Sequence, residues 1–457
     1  MHVIYSMITK QESIYIHPFT QSCDAVVEVP GSKSISNRAL ILSAMCGGEV
    51  ELQGLLESED VDLMRQALAD LGFQIRKDSQ NYKIIGTNGV IENKECTINV
   101  GNAGTIARFL TCFLASQKSG NYSMDGSVAM RKRPMLELLN CLSDLGCKIE
   151  YKGETGCFPY QLIPNGLNEN KIQIDASKSG QNISGILMQC PLLESDCEVS
   201  FKNGTVSVPF IKMTLDMMRS FCEENILNYS FFNNTIKIER CWYKKGNYSY
   251  DIEPDATAAS YFMTLPQVVG GNCVIPGMKK QMLQGDIAYF EVLSKLGADI
   301  TFDESCVRSC QGRSLGGGSF DFVDISDTFL SLAAISPLLS DTLEIYGIEH
   351  TRKQETDRVS AMARELIKLG QDVTEKSDRL IIRPNINKLR SIAKAGIEVS
   401  TYKDHRFAMS FGILASFDLL GNGQPWLKIN DPGCCSKTFP LFFDRLNTAR
   451  KDSYGNK

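Results

Sequence analysis

Several chemistries are disfavoured by what this sequence lacks. It has only four histidines in 457 residues, and its 16 cysteines are scattered without a single CxxC pair, so a zinc site has little to build on. The close pairs Cys306/Cys310 and Cys434/Cys435 do not form a disulfide framework, and reduced thiols in a cytoplasmic protein are the expectation. Neither GxxxxGK(S/T) nor GxGxxG occurs, which removes the usual sequence support for a nucleotide or dinucleotide. A net charge of -5 argues against a nucleic-acid surface or a polybasic membrane patch, since both need a local excess of Lys and Arg. No apolar run approaches the roughly 20 residues that span a bilayer, and the N-terminus lacks a charged region followed by an apolar stretch.

What remains is ordinary globular composition, 43% apolar and 22% charged. The length exceeds what one hydrophobic core supports, so two or three domains are expected. A pattern L-x-x-L-G-x-x-(I/V) recurs at Leu68-Leu71-Gly72-Ile75, Leu142-Leu145-Gly146-Ile149, Leu293-Leu296-Gly297-Ile300 and Leu366-Leu369-Gly370-Val373. Each copy reads as the last turn of an amphipathic helix, a glycine stop and an alternating strand. Neighbouring copies lie about 74 residues apart and the middle interval is about twice that, with a degenerate copy at Met217 to Ile226. A sixth copy, at Leu441 to Leu446, would complete an α/β protein of two similar domains, each of three β/α units.

The charges cluster in short polar turns. Val29-PGSKSISNR-Ala39 ends a strand at Val26, Val27 and Val29, turns through Pro30-Gly31 and opens a helix at Ser32 to Ser36. Its backbone N–H groups, the hydroxyls and the charges of Lys33 and Arg38 suit a phosphate or carboxylate. The small residues of Gly101-Asn102-Ala103-Gly104-Thr105 precede a helical run from Ile106 to Leu110 and permit close backbone approach to a ligand. Arg131-Lys132-Arg133-Pro134, Thr351 to Arg358, Lys403-Asp404-His405-Arg406 and Ser436-Lys437-Thr438 are likewise short and cationic. Any one of them alone reads as a solvated charge run. Together, with Asp327 and Glu355 as carboxylates among them, they suit anion binding combined with proton transfer.

Taken in order, PGSKSISNR (30–38), GNAGT (101–105), RP (133–134), SGQ (179–181), EPDATAASYF (253–262), QGD (284–286), ETDR (355–358), DHRFAM (404–409) and SKTFP (436–440) closely resemble the EPSP synthase (3-phosphoshikimate 1-carboxyvinyltransferase) family of enolpyruvyl transferases. The resemblance implies two domains, an inside-out α/β barrel of three β/α units each, with the substrates in an interdomain cleft. It divides the chain into residues 1–30 plus 253–457 and residues 31–252. It also implies transfer of enolpyruvyl from phosphoenolpyruvate to the 5-hydroxyl of shikimate 3-phosphate by addition and elimination, in a cytoplasmic monomer that uses no metal or organic cofactor.

Carried over by position, Lys33, Gly104, Arg133, Gln181, Arg358, Arg406 and Lys437 are expected to hold phosphoenolpyruvate. Lys33, Ser34, Arg38, Ser179, Gly180, Gln181, Ser207, Asp327 and Gln354 are expected to hold shikimate 3-phosphate. Asp327, Glu355 and Lys33 are the proton-transfer candidates, with Asp327 favoured for the 5-hydroxyl and Glu355 for the methylene. The chain departs from the family at Gly180, Phe210, His350 and Gln354, where Ser, Tyr, Asn and Lys are usual, and Lys353 could compensate for the last. Two alternatives stay open: a sibling enzyme acting on UDP-N-acetylglucosamine, against which the absence of Cys from Gly126 to Arg133 counts, and an anion-binding scaffold without turnover. The resemblance assigns no role to residues 1–24.

Overall fold

The computed structural model describes residues 11–175, 179–202, 208–312 and 315–455. It divides into two compact units, one of Gly31–Ile252 and one of Met1–Pro30 with Glu253–Lys457. A single module recurs in both.

The plainest copy runs from strand Glu95–Asn99 through helix Gly104–Ala115, strand Asn121–Asp125 and helix Leu136–Asp144 to a hairpin of Lys148–Tyr151 and Tyr160–Ile163. The first two strands pair in parallel, which requires a helical crossover, and the hairpin adds antiparallel to the second. The next copy repeats this order from Lys171–Asp175 to Thr235–Ile238. The remaining copy of the unit borrows its first strand, Tyr248–Asp251, which pairs in parallel with Gly47–Gln53.

The other unit repeats the plan. Cys23–Val26 pairs in parallel with Gly271–Pro276, and Gly318–Asp321 with Leu343–Tyr346. Ile397–Val399 pairs in parallel with Leu427–Asn430, whose free side takes Ser13–Tyr15 antiparallel. Residues 11–24 thus have a structural role that the resemblance does not supply: they complete one sheet and begin another.

The predicted helix-glycine-strand repeat is present, with Gly72, Gly146, Gly297 and Gly370 at φ of 104°, 105°, 117° and 81°. The degenerate copy makes the same turn without glycine, as Glu224 and Asn225 take φ of 54° and 55° after helix Val208–Phe221. The sixth copy departs from expectation. Leu441 to Leu446 lies at the start of helix Phe442–Asp452, not at its end. The antiparallel strand that would follow is supplied by Ser13–Tyr15 from the other end of the chain.

The first helix of each module is buried almost all round, as in Lys33–Met45, Gly104–Ala115 and His405–Ala415. Such helices carry no single apolar stripe. The second helices, such as Glu59–Asp70 and Arg358–Lys368, bury one face only. This topology decides where chemistry can occur. Both parallel strands of a module end at the same edge of the sheet, so both following helices begin there. The basic turns of the sequence are those beginnings.

Candidate active site

In the unit Gly31–Ile252, helix Lys33–Met45 starts after Ser32 and helix Gly104–Ala115 after Ala103, and no side chain caps either start. Their first-turn N–H groups, which make up the positive end of each helix, therefore have no acceptor from a capping side chain. Lys33, on the first of these turns, has its ammonium 3.4 Å from Asp60 at the start of the next helix. Ser34 is half-buried beside it.

Arg38 is 1% exposed. It donates from Nε to Thr214 Oγ1 at 2.8 Å, from Nη1 to the Ser34 carbonyl at 2.9 Å and from Nη2 to Ser184 Oγ at 3.1 Å. Its guanidinium lies 5.0 Å from the Phe109 ring centroid and 5.9 Å from that of Phe210. All three hydrogen-bond acceptors are neutral, and burial pushes the group down to about 9. It stays charged at neutral pH, yet no carboxylate of the described residues bonds to it.

Arg108 is also buried, and burial followed by repulsion from Arg133 pushes it down to about 10. The half-buried Arg133 guanidinium makes no hydrogen bond or ion pair among the described residues. Gln181 Nε2 donates to Thr105 Oγ1 at 3.2 Å, and Ser179 Oγ accepts from Gln181 N at 3.3 Å as the cap of helix Gly180–Leu187. Gly180 opens that helix, and Ser207 lies outside the described residues. Arg38, Arg108 and Arg133 thus carry guanidinium charge without hydrogen-bonded carboxylates among the described residues, a state that an incoming anion relieves.

The other unit is arranged differently. Arg358, 1% exposed, donates from Nε to Asp404 Oδ2 at 2.7 Å, from Nη1 to Asp327 Oδ1 at 2.8 Å and from Nη2 to Glu355 Oε2 at 2.9 Å. Gln354 Oε1 also accepts from its Nη1. Arg406 Nη2 donates to Asp327 Oδ2 at 2.6 Å, and Lys437 Nζ to Glu355 Oε1 at 2.6 Å. Both oxygens of Asp327 and both of Glu355 are thus held by cations. Burial opposes the charge on Arg358 and Arg406, but the surrounding carboxylates more than offset it and raise both above the ordinary guanidinium value.

Local sequence explains these placements. Asp357 and Asp404 cap helices Arg358–Lys368 and His405–Ala415, accepting from Ser360 N and Arg406 N. The caps hold Arg358 and Arg406 in the first turns, directed back over the helix starts. Lys437 closes a 3-10 turn, Pro432–Lys437, that precedes the last helix.

Other groups border this cluster. His350 Nε2 lies 2.7 Å from Ser326 Oγ, and burial pushes its imidazole below the ordinary value, against the pull of Asp327. Asp286 accepts from Thr257 Oγ1 at 3.0 Å. Burial, and then Asp327, push it up to about 7 against the opposing effect of Arg406. Arg352 is committed to structure: its guanidinium bonds Asp357, Ser360, Glu375 and two backbone carbonyls, while Lys353 is exposed.

The structure therefore places Arg358, Arg406, Lys437, Asp327, Glu355 and Gln354 in one cluster of one unit. It places Lys33, Ser34, Arg38, Gly104, Arg133, Ser179, Gly180 and Gln181 at helix starts of the other. Sequence reasoning assigned no role to Asp60, Asp286, Asp404 or Arg108. Asp286 and Asp404 stand inside the QGD and DHRFAM segments, and Arg108 is the only charged residue in an otherwise apolar helix. A buried charge in such a run is itself a signal. Among the described residues no group of His, Cys, Asp and Glu could hold a metal ion, and no helix is long and apolar enough to cross a membrane.

The model of the EPSP synthase (3-phosphoshikimate 1-carboxyvinyltransferase) family matches residues 20–446. A 3-phosphoshikimate 1-carboxyvinyltransferase of Opitutus terrae is 42% identical over 447 residues, covering 96% of this chain and 97% of its own. One from Nostoc punctiforme is 35% identical, covering 95% and 98%. Among solved structures, an EPSP synthase of Acinetobacter baumannii superposes with a TM-score of 0.76 at 24% identity, covering 96% of this chain and 98% of that one.

Proposed function

Since the chain belongs to the EPSP synthase family, we propose how its residues transfer the enolpyruvyl group of phosphoenolpyruvate to the 5-hydroxyl of shikimate 3-phosphate with release of phosphate. Residues 31–252 and residues 1–30 plus 253–457 act as its two working domains. Phosphoenolpyruvate is met by Lys33, Gly104, Arg133, Gln181, Arg358, Arg406 and Lys437. Shikimate 3-phosphate is met by Lys33, Ser34, Arg38, Ser179, Gly180, Gln181, Ser207, Asp327 and Gln354.

The observation that carries this reading is the pairing of each candidate carboxylate with two cations. Addition requires the 5-hydroxyl to lose a proton while the methylene of phosphoenolpyruvate gains one. Asp327, oriented through both oxygens by Arg358 and Arg406, takes the hydroxyl proton. Glu355, a carboxylate as it stands, takes a proton from the Lys437 ammonium 2.6 Å away and passes it to the methylene. Arg358 and Arg406, which stay charged throughout, stabilise the carboxylate and phosphate of the tetrahedral ketal phosphate as it forms and collapses. Lys33, near the hydroxyl, supports its deprotonation.

The acceptor's phosphate meets a thinner set of donors. Gly180 and Phe210 lack hydroxyls, and Gln354 contributes no charge. Arg38, whose three acceptors are neutral, supplies the counter-charge instead. Phosphate release measured with phosphoenolpyruvate and either shikimate 3-phosphate or UDP-N-acetylglucosamine tests the reading. Turnover is expected with the first acceptor alone, and turnover with only the second would refute it.

A further inference from the structure

Arg108 is not part of the machinery assigned above, yet its charge is buried without a carboxylate partner among the described residues. It stands one turn into helix Gly104–Ala115 and is 6% exposed. Nη1 donates to the Gly104 carbonyl at 3.0 Å and Nη2 to the Pro134 carbonyl at 3.4 Å. Its Nε is buried without a hydrogen-bond partner among the described residues. The two carbonyls belong to different turns, the glycine turn and the segment that carries Arg133. One planar guanidinium therefore ties both turns together.

A second observation points to a ligand. A Cβ on Gly104 would lie 3.1 Å from Arg108 Nη1 and 3.2 Å from each terminal nitrogen of Arg133. Two guanidinium groups thus converge on one glycine at the uncapped start of a helix. Arg133 opposes the charge on Arg108 more than Glu137 supports it, and no carboxylate accepts a hydrogen bond from either arginine among the described residues. A structural arginine in such a place would recruit a carboxylate, as Arg352 does with Asp357 and Glu375. Setting a half-buried charge against a buried one of the same sign without a carboxylate is unfavourable unless an anion binds between them.

We infer that Arg108 is a positioning residue for phosphoenolpyruvate: it pins the Gly104 turn to the Arg133–Pro134 segment and adds its own charge to the field that holds the anion. The inference rests on the assignment of Gly104 and Arg133 to phosphoenolpyruvate. Lysine at position 108 keeps a charge but is a point donor that cannot span both carbonyls in one plane; methionine keeps only the packing.

The test is steady-state kinetics of R108K, R108M and R133A, with circular dichroism to establish folding. Loss of one or two charge-assisted hydrogen bonds predicts a KM for phosphoenolpyruvate raised about 10-fold in R108K and about 100-fold in R108M. The KM for shikimate 3-phosphate should stay within about twofold and kcat within a few-fold, because the contacts act on one substrate. A purely packing role would lower thermal stability and move both KM values together, which would overturn the inference. If R108M does not fold, R108K decides: an unchanged KM for phosphoenolpyruvate refutes the role. R133A separates the two levels. If it raises that KM while R108K does not, only the inference on Arg108 fails; if neither changes it, the assignment of this site to phosphoenolpyruvate fails as well.

Discussion

Replacing Asp286 with asparagine should change how stability depends on pH, and the sign and size follow from its surroundings. Asp286 is buried beside Asp327 and Arg406, with Asp255 also acting on it and Thr257 donating to it, and its carboxyl is raised from 3.8 to about 7. Between these two values the folded protein binds a proton that the unfolded chain releases. Stability contributed by that proton is fully present below about pH 4, falls as the pH rises and is lost once the pH has passed 7. Each pH unit in this window is worth about 1.4 kcal/mol, so the wild-type protein loses about 3 kcal/mol between pH 5 and pH 8 from this group alone. The carboxamide of D286N keeps the shape and has no such proton to lose. Titrating groups that do not interact with Asp286 cancel when variant and wild type are compared at each pH. The difference in Tm should therefore move in favour of D286N by about 5 to 10 °C between pH 5 and pH 8, taking 2 to 4 °C per kcal/mol for a unit of this size. Calorimetry at the two pH values checks it. A Tm difference that is the same at both, within about 1 °C, would mean that Asp286 is ionised throughout and that its burial beside Asp327 does not control its proton.

The remaining predictions concern individual contacts. Replacing Lys437 with alanine removes the cation proposed to meet phosphoenolpyruvate, whose ammonium touches Glu355 at 2.6 Å; the KM for phosphoenolpyruvate should rise and kcat should fall, and unchanged kinetics would exclude the residue from the site. Gly104→Ala places a Cβ 3.1 to 3.2 Å from the nitrogens of Arg108 and Arg133, so the guanidinium groups must shift by a few tenths of an ångström. An increase of about 10-fold in KM for phosphoenolpyruvate, with little change for shikimate 3-phosphate, is expected. Arg38→Met removes a buried charge while leaving Thr214 and Ser184 bonded to each other at 2.8 Å. The variant should melt no lower than wild type, yet its KM for shikimate 3-phosphate should rise about 100-fold or more; a large loss of Tm with unaltered KM would make Arg38 structural.

How much of this was legible in the sequence depended on whether the signal was local. Gly72, Gly146, Gly297 and Gly370 marked helix ends because a left-handed stop needs no tertiary context. The turns at Lys33, Gly104 and Arg406 marked helix starts for a similar reason, since small and capping residues act within a few positions. The sixth module was misread at Leu441 to Leu446 because its antiparallel strand, Ser13–Tyr15, comes from the opposite end of the chain, and no local pattern encodes that pairing. Asp60, Asp286 and Asp404 were not singled out for a related reason. A carboxylate at a helix start reads as a cap or a solvated charge until the fold shows which cation it faces, and Asp404 turns out to serve as both the cap of its helix and the partner of Arg358.

The two units distribute charge in different ways, and the reaction accounts for the difference. Guanidinium groups in residues 31–252 lack hydrogen-bonded carboxylates at Arg38, Arg108 and Arg133 among the described residues, so an anion that binds there supplies missing counter-charge and need displace no carboxylate. That suits tight, passive holding of phosphate and carboxylate groups. In the other unit Arg358, Arg406 and Lys437 already hold Asp327, Glu355 and Asp404. Neutralising cations in advance weakens their pull on a substrate, an arrangement that would be wasteful for binding alone. It becomes useful when the carboxylates must change protonation during the reaction, because the cations that orient them then meet the charge that develops on the substrate. The proposed proton transfer thus falls to the unit that carries the paired carboxylates. A variant such as Glu355→Gln should consequently lose kcat by orders of magnitude while changing either KM much less, whereas Arg133→Ala should do the reverse. Should both variants lower kcat equally with unchanged KM values, this division of labour between the two sets of cations would be wrong.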